Sequence, residues 1–293
     1  MICLRSLFAL ASIGLAHAAV LPRQAISTLS STAIDAFAPY TYFASTAYCD
    51  PSTTINWSCG TNCDANPDFQ PAISGGGGIE QFYYVGYSPT LSSAIVAYEG
   101  TASLFGDLTD LNFFLEPLDP SLFPGIPSTV EVHSGFADQH ALTARTILTT
   151  VQQVLNAQGE NTVTVVGHSL GAALALLNGV FLRLQLPASI KVNVIGYGMP
   201  RVGNQDFANF VDSLGGIVTH VNNQEDPVPV VPPTWLGFHH PSGEIHIQDS
   251  GDWDVCPGQD NPSNLCIAGD VTDILNGNLI NHLGPYAGIS IGC

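Results

Sequence analysis

Short β-branched runs alternate along the chain with longer helical patterns. The runs are bounded by glycine or turn residues, which is typical of buried strands. They lie at 94–98, 163–166, 192–195 and 217–221. Helical patterns cover 137–157, 170–186 and 206–214, and the first two stop at Gly159 and Pro187. Alternating strands and helices form a mostly parallel sheet with helices on both faces, so the pattern predicts an α/β fold.

No linker or repeat interrupts this pattern, so residues 24–293 are expected to fold as a single domain. Four consecutive glycines, Gly75–Gly78, predict a flexible loop. The loop lacks the Lys-Ser/Thr ending of a phosphate-binding loop, which argues against a nucleotide cofactor. No other cofactor is indicated by the sequence.

The first residues are typical of a secretory signal peptide. Arg5 precedes an apolar run at 7–15, and Ala16-His17-Ala18 provides a small-residue cleavage site. We therefore expect residues 1–18 to be removed, and Arg23 allows a short pro-segment that ends at about residue 23. The apolar run is too short to span a membrane, and no later stretch is long enough. The expected location is extracellular.

The charge balance excludes several classes of partner. The full chain carries a formal net charge of −18, and without residues 1–24 it has 4 basic and 24 acidic residues, a net charge of −20. Such a surface repels nucleic acid and anionic lipid headgroups. We expect no nucleic-acid partner, and nothing in the sequence implies a stable protein partner.

Covalent modification is expected in an exported chain, and the sequence offers two kinds of site. Apart from Cys3 in the signal region, there are six cysteines, which implies disulfide bonds. Closeness in sequence favours Cys59–Cys63 and Cys256–Cys266, and elimination leaves Cys49–Cys293. No histidine stands at zinc-ligand spacing from these thiols, so no metal site is expected. Asn56-Trp57-Ser58 is a candidate N-glycosylation sequon.

A candidate nucleophile lies in Gly167-His168-Ser169-Leu170-Gly171. A Gly-x-Ser-x-Gly pentapeptide alone carries little information, but this one follows a predicted strand and opens a predicted helix, as a nucleophile elbow requires. The start of that helix offers free backbone N–H groups beside Ser169, which suit a developing oxyanion. His168 is interpreted as a packed neighbour, because so tight a turn points adjacent side chains apart.

An elbow serine needs a histidine base and a carboxylate that orients it. Among the downstream acids, Asp226 stands out because it closely follows a predicted strand and precedes Pro227, although an aspartate there can also simply start a turn. Several histidines follow it. The spacing leaves the base open among His239, His240, His246 and His282.

Five segments together resemble the class 3 (fungal type) triacylglycerol lipases. In chain order they are Val132-His133-Ser134-Gly135-Phe136, the Gly-His-Ser-Leu-Gly segment at 167–171, Gly198-Met199-Pro200-Arg201-Val202-Gly203-Asn204, Asp226-Pro227-Val228-Pro229 and Asn281-His282-Leu283-Gly284-Pro285-Tyr286. The resemblance runs from about Tyr40 to the C-terminus. It implies an α/β-hydrolase fold.

The same resemblance implies roles for individual residues. Ser169, Asp226 and His282 match the family's catalytic triad, which assigns the base to His282. The N–H groups of Thr101 and Leu170 match its oxyanion hole. Glu99 is a departure, because many relatives carry Arg there, and it changes the charge expected at the hinge of the lid.

A short helical lid is implied at about 102–110. Leu104, Phe105 and Leu108 are spaced so that they share one helical face, which would cover the pocket in water and contact lipid when open. An ordinary surface helix is the competing interpretation of so short a stretch. The implied activity is ester hydrolysis of acylglycerols at a lipid–water interface. The alternatives are a feruloyl or other soluble-ester esterase, a phospholipase A1, and an inactive lipid- or carbohydrate-binding relative.

Overall fold

The structure is a computed structural model that describes residues 25–101 and 113–293. The expected signal peptide at 1–18, the pro-segment to about 23 and the expected lid at 102–110, with Leu104, Phe105 and Leu108, lie outside these residues. None of the helices in the described ranges combines the length and the hydrophobicity that crossing a bilayer requires.

Strands occur throughout the described chain, and most of them are short. They are β1 (Ser27–Thr28), β2 (Gln70–Gly77), β3 (Glu80–Ser88), β4 (Ser93–Tyr98), β5 (Leu115–Pro117), β6 (Glu131–His133), β7 (Thr162–His168), β8 (Lys191–Tyr197), β9 (Gly203–Asn204), β10 (Val218–Asn223), β11 (Phe238–His239), β12 (Glu244–Ile247) and β13 (Trp253–Cys256). The four β-branched runs all form strands, which extend one or two residues beyond the predicted limits at most ends. The runs at 94–98 and 163–166 correspond to β4 and β7.

Helices connect many of these strands. The α-helices are α1 (Ser31–Asp35), α2 (Ala38–Thr46), α3 (Pro51–Thr54), α4 (Thr61–Asp64), α5 (Ser134–Gln158), α6 (Leu170–Gln185), α7 (Gln205–Ser213) and α8 (Ile267–Asp270). Short 3-10 helices lie at Val228–Val230, Thr234–Leu236, Ile274–Asn276 and Leu279–Leu283. The three predicted helices correspond to α5, α6 and α7. α5 starts earlier than predicted, where the ring of His133 accepts a hydrogen bond from the Phe136 N–H and caps the helix.

The central sheet has the strand order β1-β13-β12-β10-β8-β7-β4-β3-β2. Its middle is parallel: β4 pairs with β7, β7 with β8, β8 with β10 and β10 with β12. Antiparallel strands complete both edges. Because the carboxyl ends of parallel strands meet at one edge, the loops that follow β4, β7, β8 and β10 converge there.

Two apolar cores cover the two faces of this sheet. In β4, Val96 belongs to the core under α5 and α6, whereas Ile95 and Ala97 belong to the core under α2. This alternation is the two-residue period of a strand with both faces buried. Helices therefore lie on both faces, and the α/β prediction is confirmed.

The sequence predicted only the parallel middle of the central sheet, and other features also differ from the prediction. Gly75–Gly77 are not a loop; they end β2 and pair with β3 through a register shift between Gly75 and Gly77. A Cβ on Gly76 would lie 2.3 Å from the Gln81 carbonyl oxygen, so glycine allows a close backbone approach at an irregular strand end. A second, antiparallel sheet with the order β11-β9-β6-β5 was also missed, because its strands have only two or three residues.

Candidate active site

Ser169 occupies the turn between β7 and α6. Its backbone has φ 58° and ψ −130°, a conformation that is rare for any residue with a side chain. Such strain costs on the order of 1–3 kcal/mol and persists only where the surrounding structure imposes it. Here the Ser169 N–H donates a hydrogen bond to the Tyr197 carbonyl oxygen at the end of β8 (2.9 Å). The geometry is that of a nucleophile elbow, with the hydroxyl at the carboxyl edge of the sheet.

The two glycines of the pentapeptide are required by close packing. A Cβ on Gly171 would lie 2.3 Å from the Tyr98 carbonyl oxygen, and one on Gly167 would lie 2.1 Å from the carbonyl oxygen of Gly171. Both obstacles are backbone atoms, which cannot rotate away. The start of α6 is therefore pressed directly against the ends of β4 and β7.

Asp226 and His282 form a fully buried pair beside the elbow. Nδ1 of His282 donates to Oδ2 of Asp226 over 2.7 Å, and both side chains have no exposed surface. The other carboxylate oxygen of Asp226 accepts the Val228 N–H (2.9 Å). Nε2 of His282 is buried and has no hydrogen-bond partner among the described residues. The carboxylate thus fixes the ring with Nε2 available as a proton acceptor.

The loops that carry this pair are tied to each other. Asn223, at the end of β10, donates from Nδ2 to the Asn281 carbonyl oxygen (2.8 Å), and the Asn278 N–H donates to the Glu225 carbonyl oxygen (2.7 Å). The loop after β8 backs the pair closely, since a Cβ on Gly198 would lie 2.8 Å from the His282 ring. Gly198 opens one of the five family-like segments, whereas no sequence pattern singled out Asn223.

The other three candidate bases have different partners. His239 contacts Asp260 (Nδ1 to Oδ2, 3.1 Å), and Nε2 of His240 donates to the Pro229 carbonyl oxygen (2.8 Å). His246 is buried, with Nε2 3.0 Å from the Gln224 carbonyl oxygen. Within the described ranges, the structure places His282 against Asp226 and the other three elsewhere.

Thr101 and Leu170 lie in the segments that follow two neighbouring parallel strands, β4 and β7. Tyr98, the last residue of β4, pairs with Gly167 of β7, so the segments that follow both strands leave the sheet side by side. The Leu170 N–H belongs to the first turn of α6, where backbone donors have no partner within the helix. The side chain of Glu99 turns to the neighbouring strand and accepts the Phe82 N–H (3.1 Å). Burial raises the pKa of this carboxyl, and the Phe82 N–H partly offsets that effect.

The sequence also predicted disulfide bonds and a glycosylation site. Disulfide bonds join Cys59 to Cys63 and Cys256 to Cys266, as spacing predicted, and Cys49 to Cys293, as elimination predicted. Asn56 is exposed, and its Nδ2 donates to the Ser52 carbonyl oxygen (2.9 Å). Glu244 lies within 4.8 Å of the Cys256 and Cys266 sulfurs, but disulfide sulfurs carry no thiolate and do not make a metal site.

Comparisons with known proteins agree with this geometry. The family model described as lipase (class 3) matches residues 95–235. A secreted mono- and diacylglycerol lipase of Malassezia globosa is 35% identical over 226 residues, which cover 75% of this chain and 71% of that protein.

Solved structures give a similar picture. Lipase II from Rhizopus niveus superposes with a TM-score of 0.80 at 28% identity, over 91% of this chain and 98% of that chain. A triacylglycerol lipase described as having a serine protease triad at its catalytic centre superposes with a TM-score of 0.80 at 27% identity, again over 91% and 98% of the two chains.

Proposed function

Since this chain belongs to the class 3 lipase family, we propose that it is a secreted lipase that hydrolyses acylglycerol esters through Ser169, His282 and Asp226. The chain is a carboxylic ester hydrolase, as its relatives are. The observation that carries the assignment of residues is the fully buried 2.7 Å contact between His282 and Asp226, with a strained serine at the adjacent elbow.

In the first half of the proposed reaction, Nε2 of His282 removes the proton of the Ser169 hydroxyl. Oγ then attacks the ester carbonyl carbon, and the carbonyl oxygen becomes an oxyanion held by the N–H groups of Leu170 and Thr101. Asp226 stabilises the imidazolium through the existing Nδ1 hydrogen bond. The ester C–O bond breaks, the alcohol leaves with the proton from Nε2, and an acyl group stays on Oγ.

In the second half, water replaces the alcohol. His282 removes one proton from the water as the hydroxide oxygen attacks the acyl carbon, and the same two N–H groups hold the new oxyanion. Collapse of this intermediate releases the fatty acid and returns the proton to Oγ of Ser169. The elbow serine is a competent nucleophile only because the base and its carboxylate lie in one buried unit.

An apolar rim beside the acid–base loops supports a lipid substrate. Its most exposed members are Phe114, Trp235, Leu275 and Ile280, which are 68%, 80%, 88% and 74% exposed. Trp235 also lines a cavity of about 460 Å³ together with Phe113 and Ile274, which are the chain neighbours of Phe114 and Leu275. Large apolar side chains rarely cluster in water unless they contact a partner. A lipid–water interface is such a partner, whereas a soluble aromatic ester is not.

A substrate series tests this assignment. We expect hydrolysis of tributyrin to rise steeply above its solubility limit, and hydrolysis of methyl ferulate and of an anionic phospholipid to stay far lower. Replacing two rim residues together, Trp235→Ser with Leu275→Ser, should lower the rate on emulsified tributyrin while leaving hydrolysis of p-nitrophenyl butyrate below saturation unchanged. Saturation of tributyrin hydrolysis below its solubility limit, with a preference for ferulate, would favour the soluble-ester alternative.

A covalent probe tests the residues. A fluorophosphonate should label the wild-type protein once, and Ser169→Ala should abolish both labelling and ester hydrolysis. Ser213→Ala, at an exposed position at the end of α7, is the matched control and should behave as wild type. Retention of labelling by Ser169→Ala would refute the assigned nucleophile, and absence of hydrolysis by a labelled wild type would favour an inactive binding relative.

A further inference from the structure

The fully buried ring of His168 has hydrogen-bond partners on both nitrogens, although the proposed reaction does not use it. Nε2 lies 2.7 Å from the carbonyl oxygen of His282, and Nδ1 lies 2.7 Å from the hydroxyl of Tyr48. We propose that Tyr48 and His168 form a positioning pair that holds both the base and the backbone of the oxyanion hole. This inference rests on the proposed function, since it concerns how that site is kept in place.

The two contacts fix how the pair is protonated. A carbonyl oxygen can only accept, so Nε2 of His168 carries the hydrogen and donates to His282. In a neutral imidazole the other nitrogen is then an acceptor, so the Tyr48 hydroxyl donates to Nδ1. Burial, together with the nearby His282, holds the pKa of His168 well below its usual range, which keeps the ring neutral. Tyr48 therefore selects the tautomer that binds the backbone of the base.

The pair acts on the base at two points. The rings of His168 and His282 lie 4.3 Å apart between centroids, and the His168 N–H holds the His282 carbonyl oxygen. The Tyr286 hydroxyl donates to the same oxygen over 3.1 Å. Asp226 sets the direction of the His282 side chain, and these donors set the position of its backbone.

Tyr48 also touches the segment before the oxyanion hole. A Cβ on Gly100 would lie 2.2 Å from the Tyr48 hydroxyl, 2.5 Å from the His168 carbonyl oxygen and 3.0 Å from Cβ of Ser169. The hydroxyl, the elbow and the backbone just ahead of Thr101 thus meet with no room for a side chain. Burial is the main cause of the raised pKa of Tyr48, so the hydroxyl stays protonated and remains a donor.

The position of Tyr48 is itself tied down. It follows α2 directly, and its neighbour Cys49 forms the disulfide with Cys293. One covalent link thus holds Cys293, which lies eleven residues beyond His282, beside the residue that orients His168. The positioning pair therefore connects the end of α2, the elbow and the segment that carries His282.

Three variants and one control test the pair, with kcat and KM measured on p-nitrophenyl butyrate and kcat normalised to active sites titrated with a fluorophosphonate. His168→Met removes the donor, and we expect kcat to fall about 10²-fold with KM within twofold, because small misplacements of reacting groups have effects of this order. Tyr48→Phe should lower kcat about tenfold, since the tautomer is no longer selected. His168→Gln places an N–H near the position of Nε2 and should recover at least half of the lost activity on a logarithmic scale.

Tyr84→Phe is the matched control. Tyr84 is also fully buried and donates to a backbone carbonyl oxygen, that of Phe43 (2.7 Å), but it lies away from the site. The Tyr84→Phe variant should lower the melting temperature about as much as Tyr48→Phe does and leave kcat unchanged. If Tyr48→Phe keeps wild-type kcat per titrated site, the positioning role is refuted even where His168→Met fails to fold. Full activity of Ser169→Ala would instead refute the proposed function, so the two failures are distinguishable.

Discussion

The two sides of the candidate site are built in different ways. The nucleophile side is one continuous segment, β7, the elbow and α6, whose backbone is pressed against β4. The acid–base side joins two residues that are 56 positions apart, Asp226 and His282, on loops held together by side-chain and backbone hydrogen bonds. One side is rigid because of backbone packing, and the other because buried polar groups are matched to partners.

This difference predicts how each side fails. Crowding of the backbone should disturb the nucleophile side, and the loss should show in both stability and activity. On the acid–base side a single atom can be changed without altering the packing, so activity and stability should separate. Three measurements test the contrast, in order of decreasing expected effect.

The largest effect is expected for Asp226→Asn. The change keeps the volume of the side chain but favours the wrong tautomer of His282, so kcat on a soluble ester should fall by about 10⁴-fold. Asp206→Asn, at an exposed position in the first turn of α7, is the control and should retain wild-type kcat. A decrease in kcat of less than tenfold for Asp226→Asn would show that this carboxylate does not orient the base.

The next effect is expected for Gly171→Ala. Its Cβ would meet the Tyr98 carbonyl oxygen, so urea unfolding should show a loss of about 1–3 kcal/mol, as overpacking generally causes. The displaced elbow should also lower kcat. Gly215→Ala is the contrast, because its Cβ meets no atom within 4 Å while its φ of 92° strains the backbone. It should lower stability and leave kcat unchanged; equal kcat in both variants would contradict the role of the tight contact.

The smallest effect is a pH dependence of stability caused by Glu244, the first residue of β12. Burial raises the pKa of this carboxyl to about 7, partly offset by the Ile267 N–H. A raised carboxyl pKa contributes stability that is present below the unfolded value of 4.5 and lost as pH rises through 7. Glu244→Gln removes this titration. Its free energy of unfolding, relative to that of the wild type, should therefore rise by up to about 3 kcal/mol between pH 4 and pH 8. A stability difference that does not vary with pH would contradict the raised pKa.

Much of the protein followed from sequence alone. The strand and helix periods predicted the α/β layers, and five motifs in order predicted the class 3 lipase family, its α/β-hydrolase fold and ester hydrolysis, all of which are confirmed. Secretion agrees with the names of the relatives. The sequence missed β5, β6, β9 and β11, because strands of two or three residues have no measurable period.

The sequence by itself determined the strand, turn and helix around Ser169, since these are local properties that a continuous segment encodes. Spacing left the base open among four histidines, and the family resemblance assigned it to His282. Only the tertiary structure placed that residue against Asp226, surrounded it with Asn223 and Gly198, and gave His168 two partners from distant segments. The physical reason is that which loops meet at the sheet edge depends on the order of the parallel strands, which is a long-range property of the packed chain.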